Sequence, residues 1–326
     1  MKRNILMTVL ATTLALAGGI CSAAATDTYP TQPLQLVIPY TPGGGADVIG
    51  RIVAQAASNE LKQPLVILNR PGAGTIVGAE FVSRAEPDGY TMLLADSGTL
   101  STNQSLYKSL PYVAEDDFAL VALITDYPFL LVSREGFEPK TINELLDYVR
   151  AHPGEVNFAS PGPGSPHHLS MELFMEETNT KMTHIPYKGA APAVQGLLSN
   201  QVDVMFLDLA AGQHFVREGK LHAYAAATEQ RLADFQDLPT LHESGVNGFT
   251  AGTWTGIVVP KGTPETVINR LNEAFNAALS NDEIAERLRS LGVIPIPGTI
   301  DDFKRHVQSE SERWTALIKA KGIRLQ

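Results

Sequence analysis

The chain is poor in cysteine: of 326 residues, only Cys21 carries a thiol. No disulfide forms within it, and beyond that position thiol catalysis and cysteine-built metal sites are excluded. Basic residues are outnumbered, 25 Lys+Arg against 35 Asp+Glu, for a net charge of −10. Such a surface argues against nucleic acid or an anionic membrane as partner. Apart from one run near the N-terminus, no stretch approaches the ~20 apolar residues that a spanning helix needs. Also missing are a GxxxxGKS/T phosphate loop, an HExxH metal pair, a GxSxG nucleophile elbow, low-complexity tracts and supersecondary repeats.

What is present begins with Lys2 and Arg3, an apolar run from Ile5 to Ile20, and the small residues Ser22-Ala23-Ala24-Ala25. A charged start, a short apolar stretch and an Ala-x-Ala end describe a secretory signal, with cleavage predicted after Ala25. Ile20 stands where a lipobox needs a small residue, so Cys21 is read as part of a cleaved signal rather than as a lipid anchor. Losing Lys2 and Arg3 takes the net charge from −10 to −12. The remaining chain has no cysteine, relies on its apolar core, and is long enough for about two domains.

From Pro33 onward, short apolar runs alternate with amphipathic stretches. PLQLVIPY, PLVILN and YTMLLAD read as strands, and the helix after Gly45 places Val48, Ile49, Ile52, Val53 and Ala56 on one face. ALVALITDYPFLLVS (Ala119–Ser133) is a strand long enough to travel between two lobes. INELLDYVRAH turns Ile142, Leu145, Leu146 and Val149 inward, VNFAS, MTHIPYKG and VDVMFLDL are further strands, and TGIVVP (Thr255–Pro260) is a return strand. Three helices follow, with starts read at Thr263-Pro264, at Ser280-x-x-Glu283 and at Thr299. The last holds Phe303, Val307, Trp314 and Leu317 inside, and Trp254 and Trp314 are expected in the packing. Strand–helix–strand alternation implies a largely parallel α/β sheet.

Two stretches share one plan: VIPY-TPGGGAD-VIGRIVA and NFAS-PGPGSPH-HLSMELF each run from a strand end through a proline–glycine turn into a helix. A helix N-terminus presents unpaired N–H groups and about +0.5 charge, which favours an anion, and glycine lets it approach closely. Two such turns in two halves are expected to face each other across a cleft. Asp47 suits a first-turn capping role. RPGAGTIVG (Arg70–Gly78), with Asp96 ending the next strand, imitates a dinucleotide fingerprint, though Gly72-x-Gly74-x-x-x-Gly78 departs from its spacing. Ser165 in GPGSPHH is the candidate nucleophile of a hydrolase reading, and of the adjacent His167 and His168 one is expected to pack or cap while the other is solvated. Three readings stay open: an anion-binding receptor, an exported NAD(P)-type oxidoreductase and a secreted hydrolase.

IPYTPGGGADVIGRIVA, NRPGAGTIVGAEFVSRAEPDGYTMLLA, FASPGPGSPHHLSMELF, HIPYKGAAPAVQGLLSNQVDVMF, EGKLHAYAAATEQR and VVPKGTPETVINRLNEAF, taken in order, resemble the Bug-type solute receptors of tripartite tricarboxylate transporters. The resemblance implies an α/β, type II periplasmic binding protein fold, with two lobes of mainly parallel sheet joined by crossing strands. It suggests a signal peptide at 1–25, a first lobe at 26–126 completed by 247–326, and a second lobe at 127–246. It implies a monomeric, non-enzymatic periplasmic receptor, without cofactor or metal, that closes over a small carboxylate and delivers it to membrane permease subunits. The ligand residues it implies are Tyr40, Thr41, Gly43, Gly44, Gly45 and Asp47 of the first loop, Gly74 and Thr75 of the second turn, and Ser97 and Gly98 after the third strand. From the other lobe come Ser160, Gly164, Ser165 and Asp208. Two positions depart from the family pattern. Tyr40 stands where phenylalanine is common, and Asp208 comes one residue late, which on a strand turns a side chain to the other face.

Overall fold

The structure is a computed structural model that describes residues 29–322, so the predicted cleavage after Ala25 and Cys21 lie outside the described residues. β1 (Leu34–Ile38) is flanked in parallel by β2 (Leu65–Asn69) and β3 (Thr91–Asp96). The links are α1 (Gly45–Leu61), which buries Ile49, Ile52, Val53 and Ala56 as its spacing requires, and α2 (Ile76–Ser83). A π-helical turn at Gly98–Thr102 and two short helices, α3 (Asn103–Leu106) and α4 (Ala114–Asp117), lead into β4 (Phe118–Arg134).

β4 is the connection foreseen between lobes. Its first part pairs antiparallel with β9 (Gly252–Pro260), and its last part with β7 (Val204–Asp208) and β8 (Leu221–Ala226). Between them lie α5 (Ile142–Ala151), β5 (Asn157–Ser160), α6 (Pro166–Thr178), β6 (Thr183–Pro186), α7 (Ala190–Leu198) and α8 (Leu209–Arg217). The chain ends with α9 (Glu265–Ser280), α10 (Asp282–Ser290), β10 (Ile294–Pro295) and α11 (Ile300–Lys321). The strand order is β2-β1-β3-β9-β4-β7-β5-β6, with β8 and β10 on β4. Pairing is parallel within each outer trio and antiparallel in the middle, where β4 and β9 cross between the lobes instead of returning through a helix.

Without disulfides, cohesion comes from buried rings and aliphatics. Phe129, Phe174, Phe206 and Phe249 form one ring cluster with centroids 5.8–6.3 Å apart. Each is almost fully buried, which stabilises by about 1.5–3 kcal/mol per side chain. Trp254 and Trp314 are both in the packing. Two of the three helix starts shift. Pro264 takes the N-cap of α9, and Thr263 donates its hydroxyl to the carbonyl of Pro260 instead. α9 runs through Ser280, so Asn281 caps α10 by accepting from the N–H of Ile284. Thr299 does cap α11, reciprocally with Asp302.

Candidate ligand site between the lobes

Strand alternation decides what the hinge presents on each side. Across β4 and β9, Asp126 pairs with Trp254 and Tyr127 with Thr253. Tyr127 and Thr253 face an inner cavity between the lobes, and Asp126 lines a groove on the reverse face. The first lobe contributes Tyr40, Gly44, Gly45, Ala46 and Asp96 to the inner cavity; the second contributes His167, Ala190 and Asp208.

Gly44 is the N-cap of α1 and brings no capping side chain, so the first-turn N–H groups of a 17-residue helix point outward unpaired by any cap. Gly43, at φ 84°, takes the left-handed turn that leads into it. The second lobe approaches as closely as glycine permits: a Cβ on Gly44 would lie 3.3 Å from the Ala190 Cβ, and one on Gly45 would collide with Oδ1 of Asp208. The closed lobes leave about 20 Å³ for the centre of a water-sized sphere. That accommodates little more than one water, so a larger ligand enters only when the lobes part. An outer cavity of about 220 Å³ lies between the 72–75 and 161–163 turns and includes Lys188.

The inner walls are acidic and phenolic. The Tyr40 hydroxyl donates to Asp96 Oδ2 at 2.5 Å, while Asp96 Oδ1 accepts from the N–H and the hydroxyl of Thr99. Burial, reinforced by the Asp96 charge, holds Tyr40 protonated well above the ordinary phenol range, and burial with Asp208 nearby does the same for Tyr127. Asp208 Oδ1 accepts from the N–H of Ala211, capping α8, and Oδ2 lies 3.2 Å from Nε2 of His167. Asp208 reaches the cavity despite the one-residue shift because it ends its strand and begins a helix, where alternation no longer governs direction.

The expected ligand residues divide by what their polar atoms do. Tyr40, Gly44, Gly45 and Asp208 meet in the inner cavity, and Gly74 and Thr75 line the outer one with Tyr40. Asp47 ties the turn before α1 to the helix rather than capping it: burial raises its carboxyl, but bonds from Arg51, the Gly43 N–H and Asn69 outweigh that and hold it below the usual range. Ser97 bonds Thr253 at 3.2 Å, and Gly98 packs 3.5 Å, measured from a built Cβ, from the Gly164 carbonyl. Ser160 is tied to His184 Nε2 at 2.6 Å. Gly164 donates its N–H to His168 Nδ1, and the Ser165 hydroxyl accepts from the N–H of His168 as the cap of α6. Thr41 packs against Gly189 with its hydroxyl buried and unpartnered among the described residues. Gly43 lies 3.7 Å, on the same measure, from Ala191.

Two expectations change. The glycine turns border one cavity but do not face each other directly. Gly43–Gly45 meet Ala190, Ala191 and Asp208, while the second-lobe turn meets the 72–75 turn, where a Cβ on Gly74 would run into the Pro163 carbonyl. His167 and His168 are both buried, one stacked on Phe129 and the other on His184. The half-buried Arg70 guanidinium lies 3.7 Å over the Phe81 ring. His167 and Tyr127 were missed from sequence. Of two adjacent histidines on a helix only one is expected to be buried, and nothing local says that it faces a cavity, while a tyrosine inside a long apolar strand looks like core. Asp96, the ribose-binding acid of the dinucleotide reading, already accepts three protein donors. No cluster of three or more metal-ligating side chains occurs among the described residues, and no described helix is long and apolar enough to cross a membrane.

Comparison with known proteins agrees with this geometry. The family profile described as "Tripartite tricarboxylate transporter family receptor" matches residues 49–323. BugT of Bordetella pertussis is 34% identical over 327 residues, covering 100% of both chains. MatC of Rhodopseudomonas palustris, solved with bound malate, superposes with a TM-score of 0.86 at 34% identity, over 89% of this chain and 100% of that one. An R. palustris protein solved with adipate gives 0.88 at 33% identity, over 91% and 100%. With two lobes, a crossing strand pair and a bare helix N-terminus between them, this chain belongs to the family of tripartite tricarboxylate transporter receptors, which are solute-binding proteins and not enzymes.

Proposed function

We propose that the protein works in the periplasm, where it captures a small carboxylate between its lobes and hands it to the membrane permease subunits of a tripartite transporter. The observation that carries this reading is the α1 N-terminus, uncapped at Gly44, opening into the interlobe cavity with no lysine or arginine among the described lining residues. Main-chain N–H groups and the positive end of a helix then supply the anion's partners. Charge-assisted hydrogen bonds are worth roughly 1.5–3 kcal/mol each. Three or four of them, less the entropy of binding and closure, support affinity near micromolar, about −8 kcal/mol. The malate and adipate of the two related structures are the first ligands to try.

In the same reading residues 1–25 are the cleaved signal, 26–126 with 247–326 form one lobe, 127–246 form the other, and the receptor acts as a monomer. Alongside Tyr40 and Gly44–Gly45, the outer-cavity residues Gly74, Thr75 and Lys188 meet the part of the ligand nearest solvent. The test is a thermal-shift screen of the protein against mono-, di- and tricarboxylates, aromatic acids and acidic amino acids, followed by calorimetry. A ligand at a hundredfold its Kd stabilises by about 2.7 kcal/mol, so a hit raises the Tm clearly. A panel in which no acid moves the Tm refutes the proposal.

A further inference from the structure

Resting on that receptor reading, we infer that His167, held by Asp208, reads a hydrogen-bond donor on the carbon next to the bound carboxylate, so that the ligand is a 2-hydroxy or 2-amino acid. His167 is 6% exposed and its ring stacks on Phe129 with centroids 4.2 Å apart. Nε2 faces Asp208 Oδ2 at 3.2 Å. A carboxylate only accepts, so Nε2 carries the proton, and in the neutral ring Nδ1 is left with a lone pair. Nδ1 is buried and has no partner among the described residues. His167 lines the inner cavity, and because buried polar atoms are ordinarily paired, a donor on a ligand seated there would complete Nδ1.

The surrounding groups point the same way. The cavity holds two carboxylates, Asp96 and Asp208, and two phenols, Tyr40 and Tyr127, with no lysine or arginine among its described lining residues. Asp96 accepts three protein donors, from Tyr40 and Thr99, whereas among the described residues Asp208 takes donors only from Ala211 and His167 and keeps more lone pairs to spare. A second ligand carboxylate placed here would meet the like charge of Asp208 with no lysine or arginine among the described lining residues to offset it. A hydroxyl or ammonium group donates to Asp208 or to Nδ1. Spacing supplies the rest: Gly45, in the N–H-bearing first turn of α1, lies directly against Asp208 Oδ1. Anion donors and donor-seeking acceptors are therefore neighbours, and a guest satisfies both when its carboxylate and its donor group sit on adjacent carbons.

The test uses matched acids that differ only at C2: lactate against propionate, malate against succinate, and mandelate against phenylacetate, with the amino counterpart of each. Calorimetry on the intact receptor should give, for at least one pair, about tenfold or greater preference for the C2 donor, since a site built to bond a substrate OH or NH rejects the analogue lacking it. In His167→Phe, which keeps the stack on Phe129 and removes Nδ1, the ratio should fall toward one. His167→Met serves if the phenylalanine variant does not fold by circular dichroism. Equal affinity within every pair overturns the inference and leaves the receptor reading standing. So does a preference that survives both variants, or a preference for the plain diacid, which would mark a protonated His167 gripping a second carboxylate. If no acid of any kind binds, the receptor reading and this inference fall together.

Discussion

His184 carries the clearest acid sensitivity in the protein. Its ring stacks on both Phe158 and His168, with centroids 4.7 and 4.0 Å away, and Nε2 is hydrogen-bonded to Ser160 at the base of the second-lobe turn. Burial, with the neighbouring His168 charge, lowers its pKa from 6.5 to about 3. The folded value lies below the unfolded one, so on acidification the unfolded chain takes up the proton first. The associated stability is therefore complete above about pH 6.5 and is lost as the pH falls toward 3. At 1.36 kcal/mol per unit, discounted for solvent screening of the exposed part of the ring, the loss amounts to about 2–3 kcal/mol. Urea melts between pH 7 and 4 should show it in the parent protein, and His184→Gln should flatten the pH dependence by about that amount. Parallel curves for the two proteins would show that His184 titrates freely in the native state.

At the scale of elements, the N-terminus of α1 offers the sharpest experiment. Gly45 occupies an ordinary helical position, where alanine is favoured over glycine by up to about 1 kcal/mol. Yet a Cβ there collides with Asp208 of the other lobe. Gly45→Ala should therefore leave Tm within a few degrees in the absence of ligand and weaken ligand affinity at least about tenfold, because only the closed form feels the collision. Calorimetry paired with small-angle scattering checks this: the variant should fail to contract when ligand is added. The strands and helices around this site were legible because their periodicities were clean. α5 buries the four residues its spacing selects, and β4 has the length its apolar run announces. The 72–75 turn was not legible. Gly72, Ala73, Gly74 and Thr75 all have positive φ, and a β-branched residue at φ 81° is costly. Thr75 is held there by Thr99 and Asn103, contacts more than twenty residues away that no local pattern reveals.

At the scale of the whole molecule, the crossing strands place a cleft on one side and a groove on the other. The reverse groove, about 350 Å³, is lined by Thr250 and Ala251 beside β9, by Asp126, and by His306, Glu310 and Arg313 of α11. Desolvation raises the Asp126 carboxyl above its ordinary range there. Rotation that opens the front must narrow this groove, since both lie across the same strands. A bulky side chain in the groove therefore opposes opening. Thr250→Trp should tighten ligand binding by about two- to tenfold, with the gain in the dissociation rate, because an unfavoured open state removes part of the closure cost. Stopped-flow release of ligand measures it. Unchanged or faster release would mean that the lobes do not pivot about these strands.

The amino-acid sequence alone determined the α/β alternation, the long connecting strand, the glycine-led start of α1 and the acidic, cysteine-poor character of the chain. All of these follow from local spacing, turn chemistry and composition. Only the tertiary structure decided which turn meets which across the cleft, that Asp208 and His167 share a buried pair, that Asp96 is already occupied by Tyr40 and Thr99, and that Trp254 and Tyr127 look to opposite faces of the hinge. Apart from Asp96 and Thr99, the partners in those contacts lie 41 to 163 residues apart or depend on strand register, so they come together only when distant segments fold onto one another, within a lobe or across the cleft.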